Sequence, residues 1–502
     1  MARGPFVREA CSLPADQVEL TRRGYHPRRS GEIQIVPVAP NYFDNHSHSG
    51  PWPYLQRVPM FLYGPGHVPA AGRVATPVEL ADLPPTLGSH LGFRFPAPDG
   101  DPMAEAVDPS PDPARLVVLV VWDGGGRRVL DLYPDAWPNL RRSIEDGAWF
   151  DRATVGMSPS VSPAVHATMG TGAIPRRHGI VDLEFRGPGG LRTIRDSAGL
   201  LKLPTLGDVY DRAEGNDPVV GMVGNGLTVG MLGHGTGIAG GDRDILALHG
   251  GAEWIVPEGL GPDFEVPDYL NDVPGLDEAI RRLDASDGQI DGRWRGDAEL
   301  SDPTQIEETP AFTEWETAVI DQVIRREGFG SDEVPDLLFV NYKQIDKVGH
   351  RWSMNSPQAE IVVREMDRAF RDLVRILDRR AGRGNWVLAI TADHGSTPDA
   401  SVTGAFNIDM REFRADLETA FDEDADGRSA ILHTRVTQVW LDRAELEEGG
   451  HTIEEVARFL GRYRQADNDP SGAPEPERPV FQAAFPSELL DAPLPCLRGS
   501  GP

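Results

Sequence analysis

The sequence predicts an α/β fold, with a mostly parallel central sheet flanked by helices and an inserted cap region. Three observations predict it. Residues 115–122, 218–224, 336–342 and 386–393 are short runs rich in Val, Leu or Ile, each followed by polar or glycine residues. Such uninterrupted apolar runs suit strands buried on both faces, as in parallel sheets. Residues 311–327 and 357–380 carry apolar side chains at three- and four-residue spacing, the second after the turn Met354-Asn355-Ser356-Pro357. Strands alternating with helices select a layered α/β domain, in which ligands sit at the carboxyl ends of the strands.

The rest of the chain divides around these elements. Residues 114–181 and 311–502 form the expected catalytic domain, and 1–95 a segment packing into it. Residues 96–113, rich in Pro and Asp, read as a linker; 467–478 read as a loop. Residues 182–310, rich in Gly, Asp and Trp with weak periodicity, read as a cap-like or irregular insertion. No internal repeat is present.

The formal net charge of -29 argues against nucleic acid as a partner, because such a surface repels a phosphate backbone. It leaves a small phosphorylated substrate open, since a metal-containing site can be locally positive. Neither a signal-peptide core nor a membrane-spanning apolar run occurs, so a cytoplasmic location without membrane attachment is expected. In that reducing setting Cys11 and Cys496 read as two unpaired thiols. A homo-oligomer is left open.

Chemistry-bearing residues gather just beyond the strands. Asp123 ends the first run and is followed by Gly124-Gly125-Gly126, which lets its carboxylate meet a ligand without crowding. Asp346 and His350 lie four apart, so in a helix they share one face and suit one metal ion. Asp393 and His394 follow the fourth run and can reach one ion or two neighbouring ones. Ser162, followed by Pro163, reads as a helix start with Ser162 as its cap. A helix N-terminus favours an anion, and a serine held there against a metal can attack phosphorus.

In order along the chain, Asp123-Gly124, then Pro159-x-x-Ser162-x-x-x-His166 with Thr171-Gly172 and His178-Gly179-Ile180, then Asp346-x-x-x-His350 and Asp393-His394-Gly395 resemble the alkaline phosphatase superfamily. The nearest likeness is to its type I phosphodiesterase/nucleotide pyrophosphatase branch. The resemblance implies an alkaline phosphatase-like fold and two divalent ions, in the usual case zinc. One ion would be held by Asp123, Asp393, His394 and the oxygen of the nucleophile Ser162. The other would be held by Asp346, His350 and one more histidine.

In the family that last histidine lies near the C-terminus, in a His-Gly-Ser-Pro-like motif before a Val-Pro strand. Here the motif stands at the other end, as His46-Ser47-His48-Ser49-Gly50-Pro51 ahead of Val58-Pro59. Spacing to Val58-Pro59 selects His48, with His46 as the fallback. The chain therefore resembles a circularly permuted member, with residues 1–95 standing for the family's C-terminal end. Permutation would also bring Cys11 and Cys496 close together.

The resemblance implies a phosphoester hydrolase working through a phospho-serine: a phosphodiesterase or nucleotide pyrophosphatase, or alternatively a phosphomonoesterase. The asparagine that diesterases place after His-Gly-Ile is missing, since Ile180-Val181-Asp182 stands there. The Lys/Arg pair of related monoesterases is missing too, leaving Asn225 as a candidate substrate contact and Thr228 beside it. No Cys/Ser-x-Pro-x-Arg motif surrounds Ser162, which argues against a sulfatase. A phosphomutase and a non-catalytic metal-binding relative are the remaining alternatives.

Overall fold

A computed structural model describes residues 3–497 apart from 109–111, 188, 194–197, 226–227, 252, 257–260 and 423–426. The central sheet has ten strands. Five of them run parallel in the order Asp244–Gly250, Val220–Gly224, Asp336–Tyr342, Leu116–Trp122 and Trp386–Thr391. Met60–Tyr63 then pairs antiparallel with both Trp386–Thr391 and Ala148–Thr154, and Gly72–Glu79 closes that edge.

The apolar runs are continuous because both faces of the sheet are covered. Leu116, Val118, Val120 and Trp122 enter the core under the helices Pro310–Glu327 and Pro357–Leu377. Val117, Leu119 and Val121 point the other way, into a second core with Leu83, Leu87, Val165 and Met169. Burying such a side chain contributes roughly 1.5–3 kcal/mol, so neither face tolerates a polar residue.

A second, four-stranded antiparallel sheet joins the two ends of the chain, in the order Ile431–Thr434, Gln438–Leu441, Ile33–Pro37 and Phe481–Pro486. The helix Arg3–Ala10 packs on it, with Phe6 and Ala10 in a satellite core beside Phe481 and Phe485. Cys11 and Cys496 meet there with Cα atoms 5.7 Å apart and form a disulfide. The expectation of two unpaired thiols is therefore corrected. It weighed only the compartment, whereas the packing of the two chain ends brings the sulfurs together.

The composition of 182–310 predicts an irregular cap, and the structure differs. Val220–Gly224 and Asp244–Gly250 are strands of the central sheet, and Glu253–Ile255 extends its edge. The first is the run expected at 218–224, whereas the apolar stretch of the second is too short to stand out among the surrounding Gly and Asp. The hairpin of Glu184–Gly187 and Gly190–Thr193 forms a separate two-stranded sheet. In 96–113, Met103 and Ala106 are buried in the second core, and Met103 N donates to Thr86 Oγ1 at 2.9 Å. Part of that stretch, 109–111, lies outside the described residues.

Candidate active site

Strand register places the site. Trp122 pairs with Tyr342 and Val121 with Thr391, so Asp123, Lys343 and Asp393 emerge side by side at the carboxyl edge of the parallel block. Gly124, at φ +70, lets the chain turn immediately after Asp123; a Cβ there would lie 2.8 Å from Asp346 Cα. Gly395 serves the same end for the N-terminal segment. Its N–H donates to Leu55 O at 2.8 Å, and a Cβ would overlap the Tyr54 carbonyl oxygen at 2.0 Å.

Asp346 and His350 lie on the helix Gln344–Trp352, four apart on one face, with His350 Nε2 3.4 Å from Asp346 Oδ1. His48 Nε2 lies 3.2 Å from the same oxygen. His46 does not reach Asp346: it stacks on Tyr42 and its Nδ1 lies 3.3 Å from His350 O. Next to this trio, His394 Nε2 lies 3.1 Å from Asp393 Oδ2, 3.6 Å from Asp123 Oδ1 and 3.4 Å from Ser162 Oγ. The His48 and His394 rings stack with centroids 3.6 Å apart, so the two donor groups adjoin.

Ser162 is the first residue of the helix Ser162–Thr171 rather than its cap, which is Val161, and its hydroxyl lies between Lys343 Nζ and His394 Nε2. That leaves Oγ to the site. The helix ends at Gly172, whose φ of +61 suits the left-handed cap.

Two further residues join the site: His166, which closes the Pro159-x-x-Ser162-x-x-x-His166 spacing, and Lys343, which no motif singled out. His166 Nε2, one helical turn after Ser162, lies 3.6 Å from Asp393 Oδ2 and 4.0 Å from Asp123 Oδ2. Lys343 places Nζ 2.6 Å from Asp123 Oδ1, 2.9 Å from Asp346 Oδ2 and 2.9 Å from Ser162 Oγ. The available signal for Lys343 was its position, first beyond a strand and three before Asp346, in a chain with only two other lysines, Lys202 and Lys347. Asn225 lies one residue back from this centre. Its Nδ2 is 3.5 Å from Asn341 Oδ1, and Asn341 Nδ2 donates to Asp123 Oδ2 at 3.2 Å. Thr228 Oγ1 donates to Asn225 O at 2.7 Å and so braces that turn. His178 stays outside the site, bonded to Thr168 Oγ1 at 3.1 Å and Ile180 N at 3.1 Å. Burial, with the charges of Arg29 and His26, pushes it down to about 3.

The donor set suits divalent ions. Asp123, Asp346 and Asp393 are almost fully buried within one small volume, a costly arrangement without positive charge. Burial and then the Asp393 charge push Asp123 up to about 7. Burial opposes the charge on His394, but Asp393 outweighs it and holds the imidazole up at about 9. Burial and the neighbouring His394 push His48 down to about 4, the neutral form that a metal ligand needs. Asp393 Oδ2 lacks a hydrogen-bond donor in good geometry despite two imidazole nitrogens nearby, the sign of an oxygen placed for a cation. The donor atoms of His48, Asp346 and His350, of Asp123, Asp346 and His394, and of Asp123, His166 and Asp393 lie within 4.8 Å of one another in each trio.

Known proteins share this fold. The solved structure of alkaline phosphatase PafA superposes with a TM-score of 0.56 at 20% identity, over 70% of this chain and 77% of that one, which shows a common fold. In sequence, alkaline phosphatase PafA of Elizabethkingia meningoseptica is 29% identical over 163 residues, 31% of this chain and 29% of that protein. Alkaline phosphatase PhoV of Synechococcus elongatus is 36% identical over 74 residues, 15% of this chain and 14% of that protein. The chain thus matches less than a third of the length of these curated relatives. The type I phosphodiesterase/nucleotide pyrophosphatase family matches residues 117–480, from the first parallel strand to beyond Asp393-His394. The chain belongs to that family.

Proposed function

We propose that the protein hydrolyses phosphoric esters with two divalent ions, zinc in the usual case, and with Ser162 as nucleophile. The observation that carries the reading is the position of Ser162 Oγ, at a helix start between His394 Nε2 at 3.4 Å and Lys343 Nζ at 2.9 Å. Asp123, Asp393 and His394 would hold one ion beside Ser162, and Asp346, His350 and His48 the other. When bound, the ions supply Lewis-acid polarisation of phosphoryl oxygens and neutralise developing charge.

The chain's own residues do the rest. Lys343 donates to Ser162 Oγ, which favours the deprotonated oxygen, and its charge stays at the reacting atom. Burial opposes that charge, but Asp123, Asp346 and Asp393 together hold the ammonium above its ordinary range. The helix start at Ser162 presents first-turn N–H groups, a favourable setting for a phosphoryl anion. Ser162 oxygen forms a bond to phosphorus as the bond to the leaving alcohol oxygen breaks. Water then displaces the serine oxygen from phosphorus, which releases the product and restores Ser162.

Family membership favours a phosphodiester or pyrophosphate substrate. A monoester is the second reading, because Lys343 offers the extra cation that a phosphate dianion needs and the curated relatives are alkaline phosphatases. Hydrolysis of bis-p-nitrophenyl phosphate and p-nitrophenyl phosphate, with and without chelator, tests both. Chelator-sensitive turnover of either supports the hydrolase and ranks the substrates; no turnover of either by the zinc-loaded protein sinks it. Lys343→Met is expected to lower kcat on the order of 10²–10³-fold, the range found on removing one stabilising donor. Zinc content should stay unchanged and Lys343→Arg should recover part of the loss. Full activity in Lys343→Met removes the lysine from the mechanism.

The N-terminal source of His48, and Met60–Tyr63 lying beside Trp386–Thr391, support a circularly permuted chain whose first 95 residues stand for the family's C-terminal end. The Cys11–Cys496 disulfide favours an oxidising compartment over the cytoplasm. Among the described residues no helix is long and apolar enough to cross a membrane.

A further inference from the structure

A second acidic centre lies at the opposite edge of the sheet. Asp244 is the first residue of its strand and faces the amino ends of the parallel block, a full strand length from the catalytic edge. It meets Asp211, in the last turn of the helix Leu206–Ala213, and Asp242, on the loop before the strand. One carboxylate oxygen from each lies within 4.8 Å of the others.

Acidic residues often cluster on surfaces, but two of these three, Asp211 and Asp244, are buried, and Asp242 alone is exposed. Asp211 is 4% exposed and Asp244 6% exposed. Asp211 Oδ1 is sealed from solvent without any hydrogen-bond donor. Asp244 faces carboxylates: Asp211, Asp208 and Asp242 all act on it, and burial raises its carboxyl well above the usual range. Burial, then Asp242, pushes Asp211 up to about 7. The neighbouring cations are engaged elsewhere. Arg243 stands between Asp242 and Asp244 in sequence, yet its Nε and Nη2 donate to Phe264 O at 3.1 and 2.6 Å. His234 Nδ1 lies 2.8 Å from Asp208 Oδ2, and Asp208 also accepts from Thr205 N and His234 N. Asp208 is thereby satisfied, while Asp211 Oδ1 has no donor. A further sealed acceptor without a donor, Asn216 Oδ1, lies on the adjoining turn, whose Nδ2 donates to Gly240 O at 3.2 Å.

We propose that Asp211, Asp242 and Asp244 bind a calcium ion that fastens the Leu206–Ala213 helix to the start of the Asp244–Gly250 strand. The donors are all oxygen, which suits a hard cation and not zinc, and three carboxylates on one loop-and-helix corner give the adaptable geometry that calcium accepts. Magnesium would demand stricter octahedral placement and retain more water. The site is structural: it lies at the amino end of the strand Asp244–Gly250 and is separate from the catalytic donors.

Calcium titrated into zinc-loaded protein, followed by calorimetry and by thermal unfolding, tests this. The wild type should bind one calcium equivalent with a Kd on the order of 10⁻⁵–10⁻³ M and melt at a higher temperature when it is present. Asp244→Asn should abolish both effects with zinc content unchanged. Asp242→Asn, at an exposed loop position that folding tolerates, should weaken binding about tenfold or more, as the loss of one charged ligand does. Three results overturn the proposal. One is a wild type that binds no calcium at millimolar concentration. Another is calcium binding that survives both variants. The third is calcium lost in Asp346→Asn but kept in Asp244→Asn, which would place the ion at the catalytic centre.

Discussion

Ser162→Ala is expected to lower kcat on the order of 10³–10⁵-fold while zinc content and unfolding temperature stay near wild type, because only the nucleophilic atom is removed. Oγ is a single atom of a buried residue, and its loss leaves a small gap at the helix start. Lys343 keeps Asp123 and Asp346 as partners at 2.6 and 2.9 Å, so it is not left uncompensated. The donor groups around Asp346 and Asp393 are untouched. Single-turnover measurements with a chromogenic ester sharpen the test: wild type should label Ser162 with phosphate in acid-quenched samples, and the variant should not. Unchanged turnover in Ser162→Ala would sink the nucleophile assignment, and labelling of another residue would name its replacement.

His48→Ala is the second large effect. His48 faces Asp346 Oδ1 at 3.2 Å together with His350, and it stacks on His394. Removing it leaves two donors for that ion and opens the wall between the two donor groups. One zinc equivalent should be lost, and kcat/KM should fall by more than about 100-fold, since even outer partners of metal ligands cost 10–100-fold. His46→Ala is the control, because His46 contacts the His350 backbone and Tyr42 instead of Asp346. It should retain both metals. A His48→Ala protein with full zinc content and activity would remove the N-terminal segment from the site and with it the main support for permutation.

The parallel block was legible because burial on both faces leaves an unbroken apolar signature, clear at 116–122 and 336–342. Asp244–Gly250 escaped because only a few apolar residues separate its acidic start from its glycine end. Motif spacing pointed to Asp346, His350, Asp393 and His394, since each pair is local in sequence and its geometry follows from one turn of chain. Lys343 and the acidic trio are of another kind. Their meaning depends on which strands become neighbours, a fact carried by strand register and not by any short run of residues. For Cys11 and Cys496 the sequence reading reached proximity but not the bond: two residues 485 positions apart are brought together by the packing of the helix Arg3–Ala10 against the strand Phe481–Pro486.

That bond closes residues 11–496 into a covalent ring. Tension applied to the outermost residues would be carried by sulfur, bypassing the hydrogen bonds of both sheets. A protease that cuts one loop would open the ring without releasing a fragment, and the severed pieces would remain tethered until a reductant arrived. The candidate site, assembled from residues on both sides of the inserted region, would thereby keep its parts together after a single cut.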